Sequence, residues 1–236
     1  KSYGVTVSHL RFGDKPIKST YLITSPDFVS CNSAAYIGRY DMLAGIKEGG
    51  IFLLNSHYSN DEVFSKLTRD MQETIIKKKV KFYNIDAEGI VSKVPGLRSK
   101  GSNTVMMVAF FKVSGIIDEK TAIDGIRKMT EKTYKKKGDD VVKMNLSLIS
   151  DAEAGVAQIK VPASLEGVAC AHPAKLISDD ASAFAKSIIE PLMHLKGDDV
   201  PVSAMSKDGT LPTGTSKLEK RGIAPRVPKW VSENCI

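Results

Sequence analysis

The 236 residues predict an α/β fold: an open, mainly parallel, Rossmann-like sheet flanked by helices, followed by an extended irregular C-terminal strap. Three observations carry this expectation. Strand-like runs alternate with helical segments from Phe28 to Ile90, the order of a parallel sheet with helical crossovers. The run Ile51-Phe-Leu-Leu54 is continuously apolar, as in a parallel strand buried on both faces. From Gly197 onward helical periodicity is lost, and four of the ten prolines (Pro201, Pro212, Pro225 and Pro228) lie there.

Val5-Thr-Val-Ser-His-Leu10 alternates and is β-branched, so it predicts a strand. A turn around Gly13–Pro16 leads to a second strand, Ser19–Thr24, and Phe28–Cys31 is a short third. A helix is predicted over 33–47, stopping at Gly49-Gly50. After the strand at Ile51–Leu54, Asn60 is a candidate cap for a helix over 63–67, and another helix spans about 69–78. Val80–Ile85 is the next strand, and Asp86 can cap a short helix through Ile90. Asn103–Val113 is apolar nearly all round, which suits a buried helix with Met106, Met107, Phe110 and Phe111 as core residues. Residues 118–136 place Ala122, Ile123, Ile126 and Met129 at helical spacing, and Gly138 separates this helix from one running toward Asp151. Ala181–His194 is a further helix whose last turn Pro191 disturbs. The natural division is a domain over 1–196 and a connecting strap over 197–236. The strap's Val200, Val202, Leu211, Ile223, Val227 and Trp230 suggest anchors gripping a neighbour.

Composition narrows the function. Hydrophobic residues are 42% and charged residues 26%, the balance of a globular chain and not of a disordered or fibrous one. No apolar run approaches the ~18 residues a membrane span needs. Lys1–Val5 leads straight into a strand-like stretch, so no secretory leader is expected. Three distant cysteines, Cys31, Cys170 and Cys235, fit reduced thiols of an intracellular protein. The net charge of +7 comes largely from Lys77–Lys79 and Lys135–Lys137, where predicted helices end and cations suit the dipole. No zinc finger or reading helix accompanies them, so nucleic acid is not an expected partner.

Ligands of open α/β sheets bind beyond the carboxyl ends of the strands. Asn55, Ser56 and His57 stand there, as do Asn32 and Asp86; Asn55 and Ser56 could donate to a phosphate or amide, or serve as ordinary turn and cap residues. His9 and Arg11 fall on one face of the first strand, opposite Leu10, able to hold a phosphate or simply solvated. The four histidines show no zinc spacing, and no nucleophile elbow, phosphate loop or dinucleotide glycine fingerprint is present. A sheet without its first phosphate turn suggests a chain that starts inside a domain. Cys235 has the setting of a first ligand of an iron–sulfur motif running past the chain end.

Longer stretches carry a resemblance. Gly4–Gly13, Lys15–Ile23, Arg39–Leu43, Gly49–Ser56 and Glu131–Gly138 resemble the central part of the pyruvate:ferredoxin (flavodoxin) oxidoreductase family. Pro201–Ala204, Asp208–Thr215 and Glu219–Arg221 resemble the connecting region that this family carries before its ferredoxin-like domain. The resemblance implies a γ-type domain plus strap of an enzyme that oxidatively decarboxylates pyruvate to acetyl-coenzyme A (EC 1.2.7.1), passing electrons to ferredoxin or flavodoxin. It implies thiamine diphosphate, Mg2+ and [4Fe-4S] clusters in the parent enzyme and none in this segment, with coenzyme A as co-substrate. Ser8, His9, Arg11, Asn55 and Ser56 become the expected coenzyme contacts, and Cys235 a cluster ligand. The implied partners are the thiamine-binding and ferredoxin-like domains of a homodimeric parent. The cytoplasm of an anaerobe, or an anaerobic organelle, is the implied location. Where the family has paired glycines after Lys-Ser, this chain has Tyr3-Gly4. An autonomous dinucleotide-binding domain and a fusion reducing NADP are the alternatives; the segment alone is expected to be inactive.

Overall fold

The computed structural model describes residues 5–97, 101–218 and 228–234. These fall into two compact units: one from Lys1–Phe12, Ala35–Tyr40 and Pro173–Ile236 as far as described, the other from Gly13–Ala34 and Asp41–His172. The expected boundary at 196/197 therefore does not coincide with this division.

The larger unit holds the sheet. Strands β1 (Phe28–Cys31), β2 (Ile51–Asn55) and β3 (Lys81–Ile85) are parallel, and the two-residue β4 (Ala157–Gln158) runs antiparallel against β3. The spatial order is β1-β2-β3-β4. The expected open, mainly parallel α/β sheet is observed, with an antiparallel edge too short to carry a periodicity. Helix α1 (Arg69–Lys77) links β2 to β3, and α2 (Ala87–Ser92) follows β3, capped by Asp86, whose Oδ1 accepts from Gly89 N at 2.8 Å. Then come α3 (Ser102–Ser114), α4 (Glu119–Tyr134), capped by Asp118 through Thr121 N at 2.9 Å, and α5 (Asp139–Gly155).

Alternation along β2 and β3 sends Leu53 and Ile85 to one face and Phe52, Leu54 and Phe82 to the other. The first face packs on Val91, Val105, Val108, Leu148 and Ile149 of α2, α3 and α5. Across the other, Phe52 and Phe82 stack with ring centroids 5.3 Å apart. Burial on both faces explains the continuous apolar run read in the sequence.

Several expectations are corrected. Residues 5–10 and 19–24 form no strand: their β-branched alternation suits a pleated surface, but among the described residues no ladder pairs with them, and Val7, Leu10, Tyr21 and Leu22 stay exposed. Residues 33–47 hold only a 3-10 turn at Ala34–Tyr36. Gly38 turns left-handed at φ 76°, and a Cβ on Gly45 would lie 2.1 Å from the Thr24 carbonyl oxygen. The helix expected over 63–67 is a 3-10 turn, Val63–Lys66, flanked by Glu62 and not capped by Asn60. In the smaller unit, Ala185–Ile189 widens into a π-helical turn before α6 (Glu190–Met193), where Pro191 cannot donate a backbone bond. Val202, Leu211 and Trp230 are exposed, Trp230 to 74%, and so are not buried against the described residues. Ile223 and Val227 lie outside the described residues.

Lys79 follows α1 in the left-handed region at φ 50°. Lys79 N donates to Ile76 O and Val80 N to Ile75 O, the pair of bonds that closes a helix on a left-handed residue, usually glycine. Relieving the Cβ penalty of ~1–2 kcal/mol against glycine's extra chain entropy of ~0.5–1 kcal/mol, Lys79→Gly is expected to raise the urea midpoint modestly. Phe82→Ala, opening a cavity beneath the stacked pair, is expected to lower unfolding free energy by about 3–5 kcal/mol, read from the same denaturation curves.

Candidate functional site

The carboxyl ends of β1, β2 and β3 bring together the polar residues singled out in the sequence. Asn55, the last residue of β2, is 8% exposed. Its Nδ2 donates to Asn32 O at 3.1 Å, beyond β1, and its Oδ1 accepts from Ala87 N at 2.9 Å, at the start of α2. One side chain thus ties three strand-end connections. Ser56 is also buried; its Oγ donates to Asn84 Oδ1 at 2.7 Å, and Asn84 Nδ2 donates to Tyr58 O at 3.0 Å. Asn84 lies within β3 and carried no sequence signal, since a buried asparagine in a strand looks like a break in the apolar pattern. The network satisfies groups that would otherwise be stranded beside a dry sheet. His57 projects beyond it, exposed, its ring centroid 4.5 Å from that of Tyr58.

Cys31 ends β1 beneath the same edge. It is 3% exposed, and its thiol donates to Ser33 O at 3.1 Å. Burial pushes its pKa up from 9.0 to about 11, against a smaller opposing effect of the Ser33 backbone bond. It is therefore a neutral packing group and not a thiolate.

Ser8, His9 and Arg11 belong to the smaller unit; Ser8 and His9 are exposed and Arg11 is half-buried. The alternation that set His9 and Arg11 on one strand face does not apply, because this segment is not a strand. The five residues proposed from sequence thus divide between the two units: Asn55 and Ser56 are placed together, and Ser8, His9 and Arg11 belong elsewhere in the chain. Cys235 lies outside the described residues, as does the Glu219–Arg221 triplet. Among the described residues no group of three or more His, Cys, Asp or Glu is placed to hold a metal ion. In the strap, the Ser206 hydroxyl, then the Thr210 hydroxyl and backbone N–H, hold the exposed Asp208 carboxyl down to about 2. The two lysine triplets end helices as expected. Lys78 Nζ donates to Ile46 O at 2.7 Å, Lys79 pairs with Glu48, and Lys137 lies over the Tyr134 ring.

Comparison with known proteins gives a consistent result. The family profile described as pyruvate ferredoxin/flavodoxin oxidoreductase matches residues 1–154, and one described as a domain of unknown function matches residues 171–224. The pyruvate:ferredoxin oxidoreductase of Moorella thermoacetica is 47% identical over 236 residues, all of this chain and 20% of its own length. The pyruvate-flavodoxin oxidoreductase of Klebsiella pneumoniae is 41% identical over 237 residues, all of this chain and 20% of its own. The mitochondrial pyruvate dehydrogenase [NADP(+)] of Euglena gracilis is 39% identical, again over all of this chain but 13% of its own. The chain therefore spans a fifth or less of the length of these relatives.

Asn55→Ala leaves the buried Ala87 N–H and the Asn32 carbonyl without their partner. It is expected to cost about 1–3 kcal/mol in chemical denaturation. Cys31 supplies a pH signature. A thiol pKa raised by folding contributes stability that is fully present below about pH 9 and lost as pH rises through about 11. The unfolding free-energy difference between wild type and Cys31→Ala is expected to shrink over that interval.

Proposed function

The chain belongs to the pyruvate ferredoxin/flavodoxin oxidoreductase family, and from that premise we propose that it is a non-catalytic segment of a longer 2-oxoacid oxidoreductase. The whole enzyme would oxidatively decarboxylate pyruvate to acetyl-coenzyme A and pass electrons to ferredoxin or flavodoxin. The observation that carries this reading is the end-to-end match to relatives several times longer, with the two family profiles following one another along the chain.

The family's Mg2+ and iron–sulfur clusters find no group of three or more His, Cys, Asp or Glu to hold them among the described residues. Cys31 is a buried neutral thiol, and no described set of acidic, histidine or cysteine side chains converges. That chemistry is assigned to the remainder of the polypeptide, with Cys235 as a ligand supplied from this segment. Ferredoxin-like and thiamine-binding domains would be its neighbours, in a homodimeric parent enzyme. No helix among the described residues is long and apolar enough to cross a membrane. A cytoplasmic setting, or an anaerobic organelle, is part of the proposal.

This segment's own task is structural and coenzyme-handling. Arg11 and His9, with the Ser8 hydroxyl, offer cationic and hydrogen-bonding contacts to the phosphates of coenzyme A. Asn55 and Ser56 serve it by holding the strand-end loops of the larger unit. The 239–242-residue matches to other flavodoxin-linked enzymes show that the same segment tolerates small insertions. The 39% identity to the mitochondrial pyruvate dehydrogenase [NADP(+)] of Euglena gracilis supports a role that does not depend on which electron acceptor the parent enzyme uses.

In the full-length enzyme, Arg11→Ala is expected to raise the KM for coenzyme A about tenfold or more, with a smaller change in kcat, as loss of one charge-assisted contact requires. An unchanged KM removes Arg11 from the coenzyme site. The 236-residue chain with pyruvate, thiamine diphosphate and coenzyme A is expected to show no turnover; measurable acetyl-coenzyme A formation overturns the non-catalytic assignment.

A further inference from the structure

Residues 157–171 of the larger unit run back along α1, from its end to its start. At the first end, β4 pairs with β3, Ile159 N donates to Phe82 O at 2.8 Å, and the Ile159 side chain is buried. Beyond it, Val161, Pro162 and Ala163 line an open groove of about 610 Å3 together with Ile76 of α1 and Lys79 just past its end. At the other end, Ala171 N donates to Leu67 O at 2.8 Å, and Ala171 forms a parallel bridge with Thr68, the residue before α1. The stretch is thus a belt beside the helix, fastened at both ends. It occupies the interval between the two family matches, the first ending at 154 and the second starting at 171. Pro173 then opens the last segment of the smaller unit.

The two fastenings differ in kind. The first rests on a strand pairing and a buried apolar side chain. The second is polar. Gln72 is 0% exposed, and its Nε2 donates to Ala169 O and to Phe64 O, each at 2.8 Å. Arg69 Nη2 donates to Val168 O at 2.7 Å. Two carbonyl acceptors fix the orientation of the Gln72 amide, so its Oε1 is left facing away as an acceptor. That Oε1 is buried without a hydrogen-bond partner among the described residues, and so is Arg69 Nη1. A buried network with orphaned members holds less firmly than a satisfied one, because opening it to water hydrates the orphans and returns their desolvation cost. Between the fastenings, over 160–167, the only backbone hydrogen bond among the described residues is a turn, Val168 N to Leu165 O at 3.1 Å. That bond ties the belt to itself and not to α1. Sparse backbone bonding and an incompletely satisfied anchor are the marks of a segment that opens below the global unfolding free energy.

We propose that Arg69 and Gln72 form a releasable buckle, and that residues 160–171 open from α1 as a unit while the sheet stays folded. β4 and the buried Ile159 are the fixed side of this motion. Opening detaches from α1 the chain that leads into the smaller unit. It also uncovers Cys170, a half-buried free thiol whose neighbours on both sides are held: Ala169 O by Gln72 and Ala171 N by Leu67 O. Cys170 therefore reports the open state.

The test is hydrogen exchange read by mass spectrometry on the full-length enzyme, with N-ethylmaleimide labelling of Cys170 followed on its own peptide. In the wild type, amides of 160–171 are expected to exchange at least about tenfold faster than those of β2 and β3. Gln72→Leu keeps the bulk and removes both bonds. It is expected to speed exchange at 168–171, and labelling of Cys170, by about tenfold or more, with β2 and β3 unchanged. Arg69→Ala, at a half-buried position, is expected to act in the same direction through loss of one bond, and it decides the matter should Gln72→Leu fail to fold. Unchanged exchange at 168–171 in the folded variants overturns the proposal. So does acceleration spread equally over β2 and β3, which makes the two side chains contributors to global stability alone. Wild-type protection of 160–171 equal to that of the strands overturns it as well, since the belt then does not open by itself.

Discussion

The parallel pairing of β2 with β3 constrains the larger unit most strongly. Parallel strands joined by a helical crossover place covering layers on both faces, so neither face of this pair can remain in water. Leu53 and Ile85 are covered by α2, α3 and α5, while Phe52 and Phe82 stack on the opposite side. The same requirement explains α3. A helix with Val105, Val108 and Ala109 fully buried, lying against α2, α4 and α5 as well as β2, has little use for a polar stripe.

A dry sheet also dictates what happens at its edges. Asn55, Ser56 and Asn84 sit where the strands stop and the connections begin, and each finds a partner within the fold. Polar residues at strand ends are attractive ligand donors in a sequence because of where they stand. In this chain they first satisfy one another and the start of α2. Beyond the edge, His57 is exposed to solvent.

The two regions that depart most from sequence expectation have a common cause. Residues 5–24 carry the alternation of strands and residues 197–234 the apolar residues of an anchored strap, yet Leu10, Tyr21, Val202 and Trp230 are exposed. Both segments have the composition of chain that packs on something, and this polypeptide corresponds to a fifth or less of the length of its relatives. A strand is defined by the edge it pairs with, and among the described residues no such edge is paired with 5–24, so their β-branched alternation is not expressed as a strand.

Local chemistry was legible in the residues themselves. The buried strands at 51–55 and 81–85, the helices closing at 77 and starting at 102, 119 and 139, and the cap at Asp86 follow from apolar run, periodicity and side-chain acceptor, all short-range signals. Family membership, too, could be read from contiguous motifs. Tertiary structure alone decided the antiparallel β4, the unravelling of 33–47 around Gly38 and Gly45, and the Asn55 tie among three connections. Each depends on residues far apart in the chain arriving side by side, and no periodicity along a single segment encodes that encounter.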